Sequence, residues 1–83
     1  MIYTSESAYC HSFSPVGTGR YVIDMVESGW DPRDAIRQAA AEHGLEQAEE
    51  FAAACRGNLV GGKPARTVKG WLRVARRALA SMD

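Results

Sequence analysis

The sequence predicts a mainly α fold, a compact bundle of about four helices, and three observations predict it. Apolar residues recur at helical spacing from residue 18 onward, helix start and stop residues punctuate that pattern, and no internal repeat interrupts it. The alternative is an α+β fold in which the N-terminal residues are extended and pair with Tyr21-Val22-Ile23 as a β-hairpin, since these residue types favour strands. The 83 residues are read as one domain, an irregular or extended segment over 1–17 followed by a helical core over 18–81.

Each element has its own warrant. Ile2-Tyr3-Thr4 and Ala8 to Phe13 have no helical period and read as short extended pieces, and Ser14 to Gly17 reads as a turn. A first helix is expected over 18–28, capped by Thr18, with Tyr21, Val22, Met25 and Val26 on one face and Gly29 as its stop. The second has the clearest start signal in the chain. Asp31 is its N-cap, Pro32 sits at N1, Asp34 at N3 completes a variant capping box, and Trp30 is placed to staple onto the first turn. That helix runs to His43, with Gly44 beyond it and Ala35, Ile36, Ala39 and Ala40 facing inward. A third helix is expected from about Glu46 to Arg56, with Ala48, Phe51, Ala52 and Cys55 as its apolar stripe and Gly57 closing it. Residues 58–64 read as a loop that tucks Leu59 and Val60 into the core. The last helix is expected from about Ala65 to Ala80, with Val68, Trp71, Leu72, Ala75 and Leu79 on one side.

Composition sets the energetics. Leu, Ile, Val and Phe together number 15, while Ala alone numbers 13. At ~25 cal/mol per Å² of apolar area, an alanine-rich core contributes modestly and requires closely approaching helices. No run approaches the ~18 apolar residues of a membrane span, and the first residues lack the basic and apolar regions of a signal peptide, so a cytoplasmic location and no membrane partner are expected. Cys10 and Cys55 are accordingly read as reduced thiols.

Several chemistries are excluded by spacing. Gly57 to Lys63 satisfies G-x-x-x-x-G-K, but Pro64 stands where a phosphate loop needs Ser or Thr for Mg²⁺, and a helix rather than a strand precedes it. Cys10, His11, His43 and Cys55 lack the paired spacing of zinc ligands. His11 beside Cys10 and Ser12 has no geometry for nucleophilic catalysis, because sequence neighbours rarely converge on one reacting atom. No enzyme activity and no cofactor are therefore expected.

Charge is the informative feature. The net charge is zero, yet residues 1–55 carry nine acidic against three basic groups, and residues 56–83 carry seven basic against one acidic. The halves either pair internally or present a two-faced surface. Two candidate interaction faces follow. The acidic one is Glu42, Glu46, Glu49 and Glu50; the basic one is Arg66, Lys69, Arg73, Arg76 and Arg77 on the last helix.

The expected function is non-enzymatic binding, a regulator or inhibitor acting through protein–protein contacts in which charge complementarity sets rate and specificity. In size and charge layout the chain is similar to phage or mobile-element inhibitors, including those of the anti-CRISPR type. Two alternatives stand beside this. Ala39 to Leu45 resembles the first half of a helix-turn-helix and Thr67 to Leu72 the start of a recognition helix, which implies nucleic-acid binding through residues 63–77, as a homodimer. The intervening third helix departs from that motif. The third reading is a self-associating structural protein whose charged halves pair head to tail.

Overall fold

Four α-helices and one 3₁₀ turn form the structure, a computed structural model that describes residues 14–82. They are α1 (Pro15–Glu27), α2 (Pro32–His43), α3 (Leu45–Gly57), the turn Val60–Gly62 and α4 (Val68–Met82). The predicted helical bundle is therefore what forms, and no strand occurs among the described residues. The extended pieces expected before residue 14 lie outside them.

Helix α1 starts three residues earlier than its periodicity indicated. Ser14 Oγ accepts the Gly17 N–H at 3.0 Å, and Pro15 takes the first helical position, where its missing N–H is no loss. Thr18, expected as the cap, is instead wholly buried one turn inside. Tyr21-Val22-Ile23 is helical, which removes the hairpin: Val22 and Ile23 both point into the core, an arrangement a strand's alternation forbids. The helix ends in a paired motif, with the Gly29 N–H donating to Val26 O and the Trp30 N–H to Met25 O, each at 3.0 Å.

Helix α2 starts as expected, with Asp31 Oδ1 accepting the Arg33 N–H at 2.9 Å. Asp34 does not close a capping box; its carboxylate lies 3.7 Å from Arg37 in an exposed i,i+3 pair. Trp30, just ahead of the cap, is 43% exposed. A single residue, Gly44, joins α2 to α3. Its φ of 105° and ψ of 142° lie where a side chain is strained, so glycine is what allows two helices to meet with no loop between them.

Helix α4 begins three residues later than expected. Thr67 Oγ1 accepts the Gly70 N–H at 3.0 Å, and Thr67 O accepts from Trp71 N–H at 2.9 Å, so Thr67 is the cap and Ala65 and Arg66 precede the helix. Replacing Thr67 with Ala is expected to cost about 1 kcal/mol, a fall of roughly 4–8 °C in Tm, while Ser at this position retains most of it. Thermal denaturation followed by circular dichroism measures both; equal loss in the two variants would assign the effect to the methyl group rather than the cap.

Helix α1 packs against all three others, α3 packs against α2 and α4 as well, and one core lies between them. Phe51 from α3 is its largest fully buried side chain, surrounded by Val22, Ile23 and Val26 of α1 and Val74, Ala75 and Ala78 of α4. The last-helix face is the predicted one in part: Ala75 is buried and Trp71, Leu72 and Leu79 pack half-buried on the core, but Val74 and Ala78 are buried as well and Val68 is exposed. Leu59 packs on the core as expected, but Val60 is 57% exposed.

Candidate functional site

The structure divides the predicted acidic cluster. Glu42, on the last turn of α2, is engaged: its Oε1 accepts the Tyr21 hydroxyl at 3.0 Å and its Oε2 accepts from Gln38 Nε2. Glu46, Glu49 and Glu50 share one exposed face of α3 and make no ion pair among the described residues. They border a groove of about 680 Å³ between α2 and α3, whose apolar lining includes Ile36, Ala40, Ala52 and Ala53. Arg37 and Arg56 complete its rim, and Leu45, the first residue of α3, stands in it 63% exposed.

The basic face is also altered. Lys69, Arg73, Arg76 and Arg77 follow i, i+4, i+7, i+8 spacing and form one exposed stripe of α4. Arg76 is tied to the Glu27 carboxylate at the end of α1, an ion pair between the acidic and basic halves of the sequence. Arg66 is not on the helix, because the Thr67 cap places it in the preceding loop. There it joins Lys63 and Arg73 around a second hollow, of about 400 Å³, whose lining includes Val60, Pro64, Gly70 and Val74. Lys63, Arg66, Lys69, Arg73 and Arg77 carry no ion pair among the described residues. Internal pairing therefore accounts for only a small part of the charge split.

A third polar group was not visible in the sequence. Thr18 Oγ1 and His43 Nδ1 share a hydrogen bond of 2.9 Å, and the Tyr21 ring stacks on His43 with centroids 4.6 Å apart and planes 23° apart. Desolvation, and then the neighbouring Glu42 carboxylate that accepts its proton in a hydrogen bond, raise the Tyr21 pKa above 10.0. These contacts fasten α1 to the end of α2. The only sequence signal was a threonine and a tyrosine one turn apart, and Thr18 fitted a capping role equally well.

Cys55 is a buried free thiol, and Cys10 lies outside the described residues. Desolvation raises the Cys55 pKa from 9.0 to about 11, opposed weakly by Arg56. A group whose folded pKa is raised contributes stability below its unfolded pKa and loses it as pH rises to the folded one. Stability is thus expected to fall by about 1–2 kcal/mol between pH 9 and pH 11, less than the full shift implies because solvent screens part of it. Denaturant titrations across that range should show the fall shrinking in Cys55→Ala, with Tyr21 contributing the remainder at the upper end; an identical slope in both proteins would clear Cys55 of the role.

Among the described residues no group of three His, Cys, Asp or Glu side chains is placed to hold a metal ion, and no helix is long and apolar enough to cross a membrane. The chain matches no protein-family model, no curated protein and no solved structure.

Proposed function

We propose that this protein is a non-enzymatic binding protein, a regulator or inhibitor acting through protein–protein contacts. The observation that carries the reading is the separation of charges that have no ion pair among the described residues. Glu46, Glu49 and Glu50 lie beside an apolar groove on α3, while Lys69, Arg73 and Arg77 line α4. Exposed charge contributes little to a monomer's stability, but it steers encounter and rejects wrong partners. An apolar groove bordered by such charge has the anatomy of a contact surface, an anchoring centre inside a polar rim. Inhibitors of the phage or mobile-element kind, anti-CRISPR proteins among them, are the class that this size and layout fit.

Nucleic-acid binding is the second reading, favoured by the five cations from Lys63 to Arg77 that carry no ion pair among the described residues. A compact helix-turn-helix is disfavoured, since the helix after Gly44 carries Glu46, Glu49 and Glu50 and phosphates would repel it.

Fluorescence anisotropy with labelled duplex and single-stranded DNA, at low and moderate salt, separates the two. The protein-binding reading expects no appreciable binding even at low salt. Binding with a log–log salt slope of about −3 to −5, lost on reversing Arg73 and Arg77, transfers the function to the nucleic-acid reading. The positive arm is affinity capture with the wild type beside the E46K/E49K/E50K and K69E/R73E/R77E variants. A partner retained by the wild type and lost with one triple variant identifies the working face.

A further inference from the structure

The acidic face of α3 and the cation-lined hollow between the residue 60–66 loop and α4 complement each other, and we propose that this chain associates with a second copy of itself head to tail, α3 of one copy docking on the loop and α4 of the next. The donor surface is Leu45 with Glu46, Glu49 and Glu50, an exposed aliphatic side chain at the head of three carboxylates on one helix face that have no ion pair among the described residues. The receiving surface is the hollow beneath residues 60–66, with Val60, Gly70 and Val74 in its lining and Lys63, Arg66 and Arg73 as its cations. Three carboxylates meet three cations, and the exposed leucine meets an apolar hollow.

Two further features belong to the receiving surface. Gly70 leaves the hollow without a side chain on that part of α4, where a Cβ would stand 3.3 Å from the capping Thr67 Oγ1 and 3.5 Å from Ala65 Cβ. The helix also begins at Val68, and its N-terminal dipole adds positive potential beside the same three cations. On the donor side Glu42 takes no part, because Tyr21 and Gln38 already occupy its carboxylate.

The contact is heterologous, so each copy keeps one free donor and one free receiving surface. Successive copies form a ring if the rotation closes and an open chain if it does not. Assembly would cover the acidic face of α3 and, of the basic stripe of α4, Arg73, and an outside partner of either would compete with it. The proposal does not depend on such a partner, so it and the reading above stand or fall separately.

The purified protein tests it by sedimentation equilibrium at about 10 mM and about 1 M salt, where the screening length falls from ~30 Å to ~3 Å. The expected result is a mass above the 9.0 kDa monomer at low salt that returns toward it at high salt. E46K/E49K/E50K and K63E/R66E/R73E should each weaken association at least tenfold, with helical circular dichroism unchanged because every altered residue is exposed. Mixing the two variants one to one should restore it, since the reversed α3 of the first then meets the reversed hollow of the second. Leu45→Ser should weaken it about fivefold without changing charge. A monomeric wild type at low salt overturns the proposal, as does a mixture that stays monomeric while both variants are folded.

Discussion

Phe51→Ala is expected to remove about 3–5 kcal/mol of stability, the range for emptying a buried aromatic site. A chain of 83 residues has roughly 4–12 kcal/mol in total at ~0.05–0.15 kcal/mol per residue, so the variant loses a large share of it. The site cannot refill itself. Phe51 is 0% exposed and is the largest fully buried side chain, and five of the eleven buried apolar residues are alanines with no rotamer freedom to collapse into a void. Its ring also meets Trp71 edge to face, centroids 6.5 Å apart and planes at 74°, a contact worth about 0.5–1.5 kcal/mol beyond area. Urea denaturation followed by tryptophan fluorescence reads the loss, and Phe51→Leu should recover more than half. A cost below about 1 kcal/mol for alanine would mean that the four helices do not depend on this one side chain.

The sequence made legible what depends on local chemistry. Asp31-Pro32 starts α2, and Phe51 and Cys55 lie on the buried stripe of α3, as periodicity indicated. Errors fell where two local signals competed or where tertiary packing decided. Ser14-Pro15, expected as a turn, is a cap followed by an N1 proline, which moves Thr18 into the core. Thr67 lies inside an apparently continuous basic pattern, which hides its capping role and extends the expected helix over Arg66. The wheel of α4 centred on its largest apolar residues, Trp71 and Leu72. The close approach of α1 and α3 adds the smaller Val74 and Ala78 to the expected Ala75 at the core. The candidate surfaces were legible as charge runs. Which charges remain available was not, because Glu42 and Arg76 are taken by Tyr21 and Glu27, 21 and 49 residues away in the chain.

Gly19→Val should approach the Phe51 variant in effect, and Gly19→Ala should cost about 1–2 kcal/mol, although alanine is the better helix former by about 1 kcal/mol. A Cβ built on Gly19 would stand 2.6 and 2.7 Å from Phe51 Cδ1 and Cε1 and 2.9 Å from Leu79 Cδ1. Leu79 is half-buried and able to turn aside, but the Phe51 ring is enclosed, so helix α1 would have to move off α3. The same change at Gly57, where a Cβ meets nothing within 4 Å, should be neutral or stabilising by up to about 1 kcal/mol. Opposite signs for one substitution at two helical glycines distinguish close packing from helix propensity as the reason for Gly19. A double-mutant cycle adds the decisive comparison. In Gly19→Ala with Phe51→Ala the new methyl group enters the space the ring leaves, so the pair should be less destabilised than the sum of the singles by at least about 1 kcal/mol. Additive losses would place the two side chains out of contact and remove the argument that this glycine is what brings α1 onto α3.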